Sequence, residues 1–140
     1  MALIVDASIL YGQADAGEPE HPAIVALLLD ERESLITSEL AVAEADYLIL
    51  ARLGIDAELA FLQDLAEGTF GVECLTRAEL GSARKLAERY RDLQLGLADC
   101  SLAVLAQRYN TLRIATLNQR HFRAIEALQG GPFTLLPADR

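Results

Sequence analysis

The stretch Met1-Ala-Leu-Ile-Val-Asp6-Ala-Ser8 decides the fold. Residues 2–5 are apolar without alternation and stop at an acid. A strand with one wet face alternates, whereas a strand buried on both faces reads as a continuous apolar run, the habit of parallel sheets covered by helices. Similar short runs return at residues 35–37, within 68–75, at 112–116 and, after the turn Gly130-Gly131-Pro132, at 133–136. Helical stretches lie between them. Residues 23–33 and 38–53 are apolar helices, the second with Ser38 as N-cap and Gly54 at its end. Asp56 is placed to cap a helix to residue 66. Thr76 caps one to about residue 92, with Glu79 completing a capping box, and residues 98–109 form another. Residues 12–22 read as a turn-rich loop. The expectation is an α/β fold, one domain over residues 1–140, with a mainly parallel sheet of four to five short strands flanked by helices. In such sheets function sits at the carboxyl ends of the strands.

Composition narrows the class. Of 140 residues, 52% are hydrophobic and 24% charged, which suits a globular chain. The longest apolar run, residues 23–29, is far short of the ~20 that span a bilayer. The first residues lack the basic start and small-residue cleavage site of a signal peptide. Cys74 and Cys100 form no paired motif, so a cytoplasmic protein with reduced thiols is expected. The formal net charge is −9, and Lys85 is the only lysine. That balance argues against non-specific binding to phosphate backbones. It does not argue against a nuclease, because carboxylates that hold a divalent metal also make a chain acidic.

Several polar residues stand where the pattern calls for hydrophobes or a plain turn. Asp6, just past the first strand, suits either an N-cap or a ligand at the sheet edge, and Ser8 is within reach of its carboxylate. Glu44 and Asp46 both sit in the helix 38–53 among apolar neighbours at i±3 and i±4. Periodicity does not choose between them, and either acid suits an ion pair with Arg52. Asp99 complements the dipole of its helix, and Asn118 suits the cap of a short terminal helix. Taken together, two of these groups sit just past strand ends and two on helix stretches placed so that they can face the same edge. Two carboxylates near 4 Å repel by ~4 kcal/mol at an effective dielectric of about 20, which protonation or a bound cation relieves. All-oxygen ligands favour Mg²⁺ or Mn²⁺, and metal-assisted phosphodiester hydrolysis is the chemistry such a cluster serves best.

Four pieces in order, Leu3-Ile-Val-Asp6-Ala-Ser8, Thr37-Ser-Glu-Leu-Ala-Val-Ala-Glu44, Leu95-Gly-Leu-Ala-Asp99-Cys-Ser101 and Ile114-Ala-Thr116-Leu-Asn118-Gln-Arg-His-Phe122, carry a resemblance. The chain resembles the PIN-domain ribonucleases, in particular the VapC toxins of toxin–antitoxin pairs, from end to end. The resemblance implies that Asp6, Glu44 and Asp99 are the acidic metal site, and it selects Glu44 over Asp46. It implies one or two Mg²⁺, with Mn²⁺ as substitute, and RNA hydrolysis leaving a 3′-hydroxyl and a 5′-phosphate. Thr116 and Ser8 then orient carboxylates or water. Asn118 stands where many members carry a fourth aspartate, and it positions solvent. Arg120 and Arg123 are the candidate phosphate contacts. The implied partners are RNA, a cognate antitoxin and a second copy of the chain. Residues 22–29 and 38–53, richer in hydrophobes than a small core needs, are the expected interface.

Rival readings carry fewer residues. His21 and His121 suggest a metal-free ribonuclease, but nothing in the sequence brings them together. G-x-S-x-G, P-loop and G-x-G-x-x-G motifs are absent. A phosphatase of the haloacid-dehalogenase type needs a second aspartate where Ser8 stands, and both it and a receiver domain need a lysine after a later strand. The remaining alternative is a catalytically inactive PIN-like binding or assembly module, which the neutral Asn118 favours.

Overall fold

A computed structural model describes residues 1–140. Five strands, β1 (Leu3–Val5), β2 (Leu35–Ser38), β3 (Gly71–Glu73), β4 (Arg113–Ala115) and β5 (Thr134–Leu136), form one sheet in the order β3-β2-β1-β4-β5. Every pairing is parallel. Leu3, Ile4 and Val5 are fully buried, which is why β1 shows no alternation. The chain builds the sheet outward from β1 through β2 to β3, then returns to the other side of β1 for β4 and β5. The reversal falls between β1 and β4, the place where such sheets bind ligands.

Eight elements connect the strands: α1 (Ala7–Ala14), α2 (His21–Asp30), α3 (Glu39–Leu53), α4 (Ile55–Ala66), α5 (Arg77–Arg89), a 3₁₀ turn at Arg91–Leu93, α6 (Gly96–Arg108) and α7 (Gln119–Ala124). Helix α6 is the central one. Its residues Cys100 to Ala106 are all buried, so it has no polar face to speak of. The capping box on α5 is present, with Thr76 and Glu79 each accepting the other's backbone N–H at 3.1 and 3.0 Å. Ser38 caps α3 by accepting from the Ala41 N–H.

The structure departs from expectation at helix starts and ends. The stretch 12–22, expected as a loop, is helical to Ala14 and again from His21. Gly12 is the reason: a Cβ there would lie 2.5 Å from Ile24 Cδ1, so this glycine serves the close packing of α1 on α2 and does not break the helix. Helix α6 starts at Gly96, two residues before the expected position. Gly96 has φ +80°, a backbone conformation that favours glycine, and it turns the chain from the 3₁₀ segment into α6. Helix α4 is capped at Gly54, two residues ahead of the expected Asp56 cap. Strand β3 is shorter than the apolar run that suggested it.

Candidate functional site

Strand β1 ends at Val5, so Asp6 emerges at the carboxyl edge of the sheet beside the end of β4. Its backbone occupies the N-cap position of α1, yet its side chain makes no cap hydrogen bond. The carboxylate is turned off its own helix and buried, with 4% of the residue exposed. Ser8 Oγ and Thr116 Oγ1 both donate to Oδ2, each at 2.7 Å. Ser8 also accepts from the Leu117 N–H, and Thr116 Oγ1 from the Asn118 N–H, both at 2.9 Å. Two hydroxyls thus clamp one oxygen of Asp6 and leave the other without a protein partner.

Asp6 lines a cleft of about 430 Å³ together with Ser8, Glu44, Asp99, Asn118 and His121. Glu44 reaches it from α3 and Asp99 from the first turn of α6. The spacing of these two helices is tied by a hydroxyl relay. Ser101 Oγ donates to the Ala98 carbonyl at 2.6 Å, so the 2.7 Å contact with Ser38 Oγ places the proton on Ser38. Ser38 thereby caps α3 and grips α6 at once.

Electrostatics follow the geometry. Burial, then the charges of Asp6 and Asp99, raise the pKa of Glu44 above the ordinary carboxylate value. Burial also raises Asp99, opposed by the hydrogen bond from His121 and reinforced by the charge of Asp6. No hydrogen bond contributes to the shift at Glu44. The donor set is carboxylate oxygen, suited to a hard divalent cation, and a cation relieves the repulsion that adds to burial in lifting both acids. The fit is that of an open acidic cleft, because no three acidic, imidazole or thiol groups are gathered into a finished ligand set.

Asp46, two residues from Glu44, belongs elsewhere. It faces Glu58 of α4, whose pKa the neighbouring Asp46 carboxyl raises, and its own Oδ1 is buried without a hydrogen-bond partner. Arg52 pairs with neither helix acid and stacks 5.4 Å over the Tyr11 ring. Arg123 is held by Asp139 at 2.5 and 2.9 Å and by Gln119, while Arg120 is exposed. Asn118 lines the cleft, and its Oδ1 caps α7 by accepting from the His121 N–H at 3.4 Å. The two histidines have separate partners, His21 at the Gly12 carbonyl and His121 at Asp99, 2.6 Å from its Oδ2.

Sequence reasoning gave no role to His121 in this cleft, nor to Ser38 and Ser101 in spacing it. One signal for His121 was present. It occupies the third helical position after the Asn118 cap, where a side chain leans back toward the cap, and this cap sits at a strand's carboxyl end.

A family model described as the PIN domain matches residues 3–128. The ribonuclease VapC26 of Mycobacterium tuberculosis is 41% identical over 135 residues, covering 96% of this chain and 100% of that protein. Among solved structures, that of M. tuberculosis VapC20, a sarcin–ricin loop cleaving toxin, superposes with a TM-score of 0.74 at 19% identity, covering 80% of this chain and 86% of that one. VapBC2 from Rickettsia felis, bound to a DNA fragment from its promoter, gives a TM-score of 0.68 at 16% identity over 96% and 97% of the two chains.

Proposed function

Since the chain belongs to the PIN-domain family, we propose that it is an endoribonuclease that needs a divalent metal, the toxin of a toxin–antitoxin pair, with residues 1–140 acting as one nuclease unit. One observation carries this reading. Asp6 is buried and turned away from its helix, clamped through Oδ2 by Ser8 and Thr116, and it shares a cleft with Glu44 and Asp99. A plain helix cap needs none of that support.

Asp6, Glu44 and Asp99 would hold Mg²⁺, with Mn²⁺ able to substitute. When bound, such an ion supplies Lewis acidity toward the scissile phosphodiester and steadies the charge that develops in the transition state. The protein's own groups do the rest. Ser8 and Thr116 fix the rotamer of Asp6, so its free oxygen keeps one direction. The Ser38–Ser101 relay sets the separation of Glu44 from Asp99. Asn118 serves at the rim of the cleft. Arg120, exposed one turn away, is the better phosphate contact, because Arg123 must first leave Asp139 to reach an RNA strand.

The surface supports a protein partner. Leu29 of α2 is 80% exposed and Tyr47 of α3 72%, and Leu50, Ile55, Leu59 and Leu62 are also exposed along α3 and α4. The expected hydrophobic excess of residues 22–29 and 38–53 therefore lies partly on the surface, which suits a cognate antitoxin or a second copy of the chain. A ribonuclease acting on cellular RNA would work in the cytoplasm; separately, no helix is long and apolar enough to cross a membrane.

The test is RNA cleavage by Asp6→Asn, Glu44→Gln and Asp99→Asn, with Asp46→Asn as control. The first three should lose cleavage while remaining folded, and the control should keep it. Cleavage surviving in any of the three removes that residue from the site, and a folded wild type that cleaves no RNA with Mg²⁺ present leaves the non-catalytic binding module as the better reading.

A further inference from the structure

Asp99 is the acid of the cleft that another ring grips directly. His121 Nδ1 lies 2.6 Å from Asp99 Oδ2, and Asn118 Nδ2 lies 3.1 Å from the same nitrogen. One imidazole nitrogen does not both donate to a carboxylate and accept from an amide N–H. An ionised carboxylate only accepts, and the contact to Asp99 has the short distance of a charge-assisted bond. The proton therefore sits on Nδ1 and points at Asp99. Asn118 contributes through its other end, where Oδ1 accepts from the His121 backbone N–H and anchors the first turn of α7.

We propose that His121 is a positioning residue for the cation site. It holds Asp99 through Oδ2, as Ser8 and Thr116 hold Asp6, so that Asp99 presents its remaining oxygen to the cleft; Asn118 acts through His121. This inference rests on the metal-dependent reading above. An imidazole supplies the N–H without requiring a full positive charge beside a cation site, which a lysine or arginine would bring. Outer hydrogen bonds of this kind fix ligand orientation, and their loss typically weakens metal binding by about 10–100-fold.

The experiment uses the full chain as wild type, His121→Leu and His121→Asn, the last because an asparagine amide nitrogen can stand in for Nδ1. Mn²⁺ titration calorimetry should give His121→Leu a Kd about 10–100-fold weaker than wild type, with His121→Asn recovering most of the loss. In RNA cleavage, His121→Leu should lower kcat with KM for RNA unchanged. Independently of metal, long-range ¹H–¹⁵N spectra of the neutral wild-type ring should show the Nδ1–H tautomer. Equal Mn²⁺ affinity in wild type and a folded His121→Leu overturns the inference, as does an Nε2–H tautomer. The tautomer decides it even where His121→Leu fails to fold. A wild type that binds no Mn²⁺ overturns instead the metal-dependent reading on which the inference stands.

Discussion

Replacing Thr116 by valine tests the clamp on Asp6 with little change of shape. The hydroxyl it removes is buried, donates to Asp6 Oδ2 at 2.7 Å, and accepts from the Asn118 N–H at 2.9 Å. A hydrogen bond to a charged group is worth about 1.5–3 kcal/mol. The orphaned Asn118 N–H adds roughly 1 kcal/mol, the low end for an unsatisfied donor, because water reaches that partly exposed position. The expected loss is therefore about 2.5–4 kcal/mol out of a total stability of roughly 5–15 kcal/mol. Urea denaturation at pH 7 in a chelator reads it directly, with Thr116→Ser as the variant that keeps the hydroxyl and most of the stability. The clamp is shared with Ser8, so the Ser8→Ala/Thr116→Val double variant should depart from additivity, since it leaves a buried carboxylate with no donor. A Thr116→Val protein within about 0.5 kcal/mol of wild type, the range of an ordinary surface substitution, refutes the clamp.

Three further outcomes follow from the same structure. Glu44 has its pKa raised in the folded state by burial and by Asp6 and Asp99, so its ionisation destabilises the fold as pH rises above the ordinary glutamate value; Glu44→Gln should raise the urea midpoint at pH 7, with the gain vanishing toward pH 4, and a lower midpoint at pH 7 contradicts this. Arg108 holds the pKa of Glu79 down at about 2, from side chains 29% and 20% exposed. That stability is fully present above the unfolded pKa and lost as pH falls toward 2. Arg108→Met should cost about 1–2 kcal/mol at pH 7 after allowance for solvent screening, and a cost that does not shrink in urea titrations at lower pH counts against the pair. Ser38→Ala removes the α3 cap and the relay to Ser101 and should cost about 1–2 kcal/mol together with part of the cleavage rate; intact kinetics would show that the relay does not space Glu44 from Asp99.

What the sequence made legible was the sheet. A run such as residues 2–5, with no alternation, has few ways to fold other than as a strand covered on both sides. Asp6 was legible for the same reason, since it follows directly on such a run, and Asn118 because it comes two residues after another; Thr116, the last residue of that run, took its role only from the family resemblance. Helix ends were less so, because Gly12 looks like a breaker until Ile24 is seen to occupy the space of its absent Cβ. Glu44 and Asp46 were inseparable by periodicity, as both have apolar neighbours one turn away. The difference lies in what stands opposite each, a cleft in one case and Glu58 in the other. His121 and the Ser38–Ser101 relay depend on contacts between residues 22 and 63 positions apart, which no local pattern encodes.

The most direct measurement of the central claim is cleavage of RNA by the purified protein, with wild type and Asp6→Asn prepared in parallel and assayed with Mg²⁺ and with a chelator. The expected result is fragments bearing 5′-phosphates from wild type with Mg²⁺ alone, and none from the chelated or Asp6→Asn samples. Equal cleavage in the chelator or by Asp6→Asn would contradict the account, as would no cleavage by folded, Mg²⁺-bound wild type.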